Sequence, residues 1–282
     1  MRRFMGLALF ATVFPLFSCK TETAPTNPVP HRIVSVTITG DVLLRSLVDS
    51  SRVLAVSSLA DDSGIHEAAG LFPTKPRIGP DLERIVSLRP DLVLLGSFHD
   101  PAFVDGIRKS GLAIELLQSP NSLDKVRAYL RKVSARLGES AKGDSLVRWM
   151  DSILDNVKER VAKCPDRPRV LYWSEGFTAG DSSTIHDLMA VAGVRNLARE
   201  QGIHGSQNIS IEDVLRMEPD WILRSSWEAG GSMKSLPVAL SNLKAVKEGR
   251  MAVVSGKVLL STSHRCALAA DTLARIFHPA CR

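Results

Sequence analysis

One fifteen-residue stretch occurs twice in this chain, and the repetition limits what the chain can fold into. Asp81–Leu95 (DLERIVSLRPDLVLL) recurs as Ser210–Arg224 (SIEDVLRMEPDWILR), with Glu83, Pro90 and Asp91 falling on Glu212, Pro219 and Asp220 at one common offset. In both copies apolar residues at helical spacing precede Pro-Asp, Ile85 with Leu88 in one and Val214 with Met217 in the other. The proline ends the helix, because its ring disfavours the α conformation in the residue before it. The apolar runs Leu92–Leu95 and Trp221–Leu223 then read as buried strands. A helix–turn–strand unit repeated once, far apart, predicts two similar halves. A solenoid would need several closely spaced copies.

The length of 282 residues agrees, since it suits two domains of roughly 120 residues better than one small core. The formal charge is +6, or +4 without Arg2 and Arg3, and no dense Lys/Arg block stands out, so nucleic acid is not an expected partner. Arg2 and Arg3 precede the apolar run Phe4–Phe17, which is too short to span a bilayer comfortably. The run ends in Leu16-Phe17-Ser18-Cys19, which resembles a bacterial lipoprotein signal, with Phe17 bulkier than usual for its place. Residues 1–18 are therefore expected to be removed and Cys19 to carry lipid, the alternative being an ordinary secretory signal with a chance cysteine; either reading places the mature chain in the periplasm or at the cell surface. Residues 19–31 contain the Thr/Pro-rich run Lys20–His31 and read as an extended tether. Of the remaining cysteines, Cys164 and Cys281 flank the second half and are expected to pair, and Cys266 to be a buried thiol.

Strands and helices alternate through the rest, which argues for parallel α/β sheets. Arg32–Thr39 reads as the first strand, Gly40 and Asp41 as a turn, and Val42–Val48 as a short helix. Arg52–Val56 and Leu112–Leu117 read as strands around a helix at Pro101–Lys109. Asn121–Lys163 lacks proline and carries two apolar stripes, broken at Gly138 and Gly143. The second segment, Asp144–Lys163, would be about 30 Å long. Arg169–Ser174 then takes the role of the first strand again. Ser183–Ala192 and Pro237–Lys247 read as helices, Gln201–Gln207 as a loop, Ala252–Val254 as a strand and Ser263–Phe277 as the terminal helix. Ligands in such sheets bind beyond the carboxyl ends of the strands.

The ordered set of lipoprotein signal, RIVSV strand, LERIVSLRPDLVLL, long proline-free helix, FTAGDSSTIHDLMAVAGVRNLA and SIEDVLRMEPDWIL resembles the periplasmic binding proteins of ABC importers for cobalamin, ferric siderophores and haem. The resemblance spans about residues 31–280. It implies an α/β fold of two parallel-sheet lobes, 32–142 and 165–282, bridged by one long helix at 143–164. It implies capture of a metal chelate in the cleft between lobes, without chemical change, by a monomer that needs no cofactor. It also implies delivery to an ABC permease dimer, with Glu83 and Glu212 docking one on each lobe. Read from the residues alone, these glutamates lie in the first turns of helices capped by Asp81 and Ser210, where they oppose the helix dipole.

Candidate ligand contacts follow from strand ends and from the resemblance. Trp173 and Trp227 lie near strand ends and offer flat apolar surface. Arg77 and Ser206 each precede a repeated glutamate by six residues, at places where the cobalamin-binding relative has ligand-touching tryptophans, so this chain departs at both. Arg77 could anchor a carboxylate or catecholate. His99 and His204 are candidate ligands to haem iron or cobalt. Core packing, a surface arginine and solvated loop histidines are the respective alternatives. His66, His264 and the Asp61/Asp62 pair have no assigned role. A bare zinc or manganese binder would gather its histidines and carboxylates, whereas here the seven histidines are scattered. A lipid-anchored sensor or adhesin is the other alternative. The chain has no Gly-x-Ser-x-Gly, HExxH or phosphate loop, and Ser183, His186 and Asp187 lie too close together on one helix to form a triad, so an enzyme is not expected.

Overall fold

The computed structural model describes residues 28–64, 70–226 and 236–281. The first half contains β1 (Ile33–Ser35), β2 (Val53–Ser57), β3 (Arg77–Ile78), β4 (Leu92–Gly96) and β5 (Ile114–Leu117), in the order β3-β2-β1-β4-β5, all parallel. The second half contains β6 (Arg169–Tyr172), β7 (Phe177–Ala179), β8 (Arg195–Asn196), β9 (Ser206–Asn208), β10 (Trp221–Ser226) and β11 (Met251–Ser255). Four of these form a second parallel sheet, β11-β10-β6-β8, while β7 and β9 make a separate antiparallel pair. The helices are α1 (Ile38–Leu47), α2 (Leu82–Ser87), α3 (Pro101–Lys109), α4 (Leu123–Arg136), α5 (Ser140–Ala162), α6 (Thr184–Val191), α7 (Leu197–Glu200), α8 (Ile211–Met217), α9 (Lys244–Lys247), α10 (Gly256–Leu259) and α11 (Ala267–Phe277). No helix among the described residues is long and apolar enough to cross a membrane.

The duplicated unit is a three-part corner. Asp81 Oδ1 accepts from the Arg84 amide at 3.0 Å, and Ser210 forms a reciprocal capping box with Asp213. At the other end Arg89 (φ 49°) and Glu218 (φ 46°) adopt the left-handed conformation, each directly before its proline. A non-glycine residue there costs about 1–3 kcal/mol, and the following aspartate offsets part of it. Asp91 accepts from the His31 and Arg32 amides at 2.6 and 2.9 Å, and its own amide donates to Arg32 O. Asp220 does the same to Arg169, accepting its amide at 3.2 Å and donating to its carbonyl. Each Pro-Asp therefore fastens the incoming residue of β1 or β6 beside β4 or β10, and fixes the register of the two central strands.

Strand alternation divides the apolar side chains among three cores. Val34, Val93 and Leu95 face α2 and α3 in one outer core, and Leu171 and Ile222 face Val214 of α8 in the other. Ile33, Leu92 and Leu94 of the first sheet, and Val170, Tyr172 and Leu223 of the second, belong to one continuous inner core. The buried stripe of α5 (Val147, Met150, Leu154, Val157, Val161) runs through that core, with α4 and α11 against it. Each such side chain contributes about 1.5–3 kcal/mol by its burial, so the two halves are welded along the helix. A disulfide joins Cys164, beyond the end of α5, to Cys281. Cys266 is buried.

Four local expectations need correction. The first strand stops at Ser35, because Thr37 caps α1 by accepting the Gly40 amide at 3.1 Å, so Gly40 and Asp41 lie inside the helix. Gly40 is required there, since a Cβ would lie 2.4 Å from Ser35 Oγ. Gly138 (φ 74°) does break the long helical region, but Gly143 does not. It sits within α5 where a Cβ would meet Ser134 Oγ at 1.9 Å, which lets α4 and α5 approach closely. Ser206–Gln207, read as loop, belong to β9. The stretch read as the helix Pro237–Lys247 is a 3-10 turn at Val238–Asn242 followed by the short α9.

Replacing Asp91 by Ala removes two backbone contacts and replacing Asp220 by Ala removes one. We expect Asp91→Ala to lower unfolding free energy by about 1–3 kcal/mol and Asp220→Ala by less, read from urea midpoints at unchanged m.

Candidate ligand-binding cleft

A cavity of about 440 Å³ opens at the carboxyl ends of β1, β2, β4 and β5 and is closed from the other side by α10 and residues 260–263. It thus lies between the two sheets, where parallel strands leave their loops free to bind. Its walls are apolar (Val36, Val42, Leu117, Leu260) and hydroxyl-bearing (Thr37, Thr39, Ser57, Thr262). The end of β2 is held by the fully buried Asp41, whose Oδ1 accepts the Ser57 amide at 3.2 Å.

The loop after β4 supplies the aromatic surface. His99 Nδ1 lies 3.0 Å from both the amide and the carbonyl of Gly96, which folds the loop back on the strand end. The Phe98 ring stacks on His99 at 4.8 Å and 22°, yet is 76% exposed at the cavity. Gly96 makes this pose possible, since a Cβ there would lie 2.2 Å from the Phe98 ring. Across the opening, Thr39 Oγ1 and Thr262 Oγ1 share a hydrogen bond of 2.7 Å, and the Lys257 ammonium donates to Ser63 O. A groove of about 410 Å³ continues the cleft toward the second half, sharing Ser119 and residues 260–262 with the cavity and reaching Ser183 and Ser206. Beside it Thr184 Oγ1 donates to Pro120 O at 2.8 Å, and Asp187 accepts the Leu123 amide at 2.8 Å, tying α6 to the start of α4.

Residues 62–257 match the family model described as periplasmic binding protein. The chain belongs to this family. Among curated relatives it is 22% identical over 71% of its length to an uncharacterised ABC transporter substrate-binding lipoprotein of Bacillus subtilis. It is 25% identical over 83% to a cobalamin-binding protein of Halobacterium salinarum. The chain spans just under two thirds of these two relatives, 65% and 64%. It spans 80% of an Fe(3+)-citrate-binding protein of Bacillus subtilis, at 22% identity over 83% of its own length. Solved structures share its fold. The apo periplasmic heme-binding protein RhuT of Roseiflexus superposes with a TM-score of 0.73 at 24% identity, covering 89% of this chain and 99% of its own. A periplasmic heme-binding protein of Pseudomonas aeruginosa gives 0.74 at 21%, covering 89% and 94%.

In this periplasmic binding protein the residues singled out from sequence are dispersed. His99 lines the cavity and Ser206 the adjoining groove. Arg77 does not reach the cavity. Its guanidinium forms a two-point pair with Asp61, at 2.6 Å on both contacts, and also donates to the Phe72 and Lys75 carbonyls, so it braces the loop before β3. Trp173 is buried in the outer core of the second half, with Arg224 5.6 Å over its ring and Nε1 without a partner among the described residues. His204 is a surface residue whose Nδ1 meets Asp181 at 2.6 Å. Trp227, His66 and Cys19 lie outside the described residues. Glu83 and Glu212 are exposed in the first turns of α2 and α8, with no hydrogen bond or ion pair among the described residues. No group of three or more His, Cys, Asp or Glu side chains among the described residues could hold a metal ion.

Sequence reasoning missed Phe98 and Lys257. The available signals were a glycine ending a buried strand before Ser-Phe-His, and a lone lysine just beyond the last strand.

His264 follows the cleft loop and is buried, edge-on to Trp149, with Nδ1 lacking a partner among the described residues. Burial, reinforced by the charge of Arg265, pushes its pKa from 6.5 down to about 4. The unfolded chain thus binds a proton between pH 6.5 and 4 that the folded chain refuses, so stability is complete above pH 6.5 and falls as the pH drops toward 4. We expect the loss to approach about 3 kcal/mol by pH 4, followed by urea unfolding across that range. His264→Gln should flatten the profile, leaving the smaller slope of His186, which burial also holds below its ordinary value.

Proposed function

We propose that this chain is a lipid-anchored extracytoplasmic solute-binding protein that captures a metal chelate between its halves and hands it to an ABC importer permease. The carrying observation is the inter-sheet cavity, with apolar and hydroxyl walls and an exposed ring, Phe98, held over its edge. Such a surface suits a flat or bulky organic chelate, with Phe98 and His99 as the platform and the hydroxyls as polar anchors. A bare divalent cation would need gathered carboxylates and imidazoles, and His99 is the cavity's one such side chain among its described walls. The relatives named for cobalamin and Fe(3+)-citrate, and the neighbours named for heme, support a chelate as the cargo class.

In this reading residues 32–142 and 165–282 act as two lobes about the helix at 143–164, with Ser206 on the far side of the ligand. The ligand enters without altering any bond, and no resident cofactor takes part. Cys19 carries the anchor, and residues 19–31 are the tether. Glu83 and Glu212 dock onto the permease, one from each lobe. Their exposure without partners supports this role, since an unpaired surface carboxylate is available to a basic partner at little desolvation cost.

Visible absorption titration of the mature chain with haemin, cyanocobalamin and ferric siderophores tests both parts. We expect saturable binding of at least one chelate, and a roughly tenfold loss of affinity in Phe98→Ala. The double variant Glu83→Lys/Glu212→Lys should titrate like the parent but abolish cellular uptake. Absence of any spectral response contradicts the chelate reading, and unchanged uptake contradicts docking.

A further inference from the structure

The cavity carries little charge of its own. Among its described walls the ionisable side chains are His99 and Lys257. Lys257 stands on the short α10, directly beyond β11, and so belongs to the wall opposite Phe98 and His99. Its side chain is half-buried, and its ammonium donates to a neutral acceptor, the Ser63 carbonyl of the first half. No carboxylate lies within ion-pair distance of it among the described residues. Arg77, the cation that sequence placement favoured for reading an anion, is fully engaged with Asp61 and two carbonyls outside the cavity.

A cation without a counter-ion at the wall of a cavity favours any anion that can reach it. A charge-assisted bond to an anionic oxygen is about twice as strong as one to a neutral acceptor, so such an oxygen entering the cavity displaces Ser63 O as the partner of Lys257. We propose that Lys257 determines ligand class: the cavity takes a chelate that presents an anionic carboxylate or catecholate oxygen, and discriminates against a neutral chelate of similar bulk. This inference rests on the chelate-binding reading of the same cavity. The exchange also uncouples residue 63 from α10, so that recognition of charge on one wall releases a contact to the other.

The test uses the mature chain, Lys257→Met and Lys257→Arg, each checked by circular dichroism for native melting. The probes are haemin, which carries carboxylates, a ferric tris-catecholate, and two chelates of zero net charge that carry neither carboxylate nor catecholate, ferrichrome and cyanocobalamin. The parent should bind one of the anionic probes most tightly, and which of the two separates a porphyrin carboxylate from a catecholate as the source of the oxygen. Lys257→Met should weaken that probe by about 10- to 100-fold and leave binding of the neutral probes, where measurable, within threefold, while Lys257→Arg retains most of the affinity. Equal binding of the anionic probe by the parent and Lys257→Met, or a parent preference for a neutral chelate, overturns the role of Lys257 and leaves chelate binding standing. Failure of every probe to bind the parent overturns both.

Discussion

A carboxylate placed directly after a proline fixes the geometry of each half. Asp91 and Asp220 take the backbone of the residue entering β1 or β6 and hold it beside β4 or β10. The proline before each aspartate forces the helix to stop, and Arg89 and Glu218 accept an unfavourable backbone conformation so that the aspartate arrives in place. Since all strands of each main sheet run parallel, fixing the entry of the central pair also fixes where their carboxyl ends emerge. In the first sheet those ends carry Thr37, Phe98 and His99, so the same corner that organises the sheet decides which side chains line the cavity.

The second constraint is the inner core that α5 shares with both sheets. A pair of domains joined by a loose linker would close widely around a ligand. Here Met150, Leu154 and Val157 are packed among side chains from both halves, and wide opening would expose them to water. The polar ties at the cleft, Thr184 to Pro120 and Asp187 to Leu123, act in the same sense. Small adjustments at Thr39–Thr262 and Lys257–Ser63 remain available, because those pairs are single hydrogen bonds beside the cavity.

Much of this was legible in the sequence where a residue's own chemistry dictates its conformation. The Pro-Asp corners, the caps at Asp81 and Ser210 and the helix Pro101–Lys109 are local devices, and they stand where their residues predict. Legibility failed where a distant neighbour decides. Gly143 looks like a helix breaker until Ser134 of the preceding helix is seen against it. Arg77 has the right chemistry for a ligand anion, but Asp61 lies within reach and holds it. Trp173 follows a strand, but the alternation of β6 turns it toward the outer core. Phe98 and Lys257 passed unnoticed because an exposed phenylalanine and a half-buried lysine have meaning only beside the cavity they line.

In the proposed complex a chelate sits between the two sheets, against Phe98 and His99 on one side and residues 257–263 on the other. Anomalous diffraction at the metal edge, from crystals of the protein soaked with a chelate it binds, locates the metal without prior assumption. We expect one strong peak within that cavity, bounded by Phe98, Leu117 and Thr262. A peak on the outer face of either sheet, or at the surface around His204, would contradict that placement.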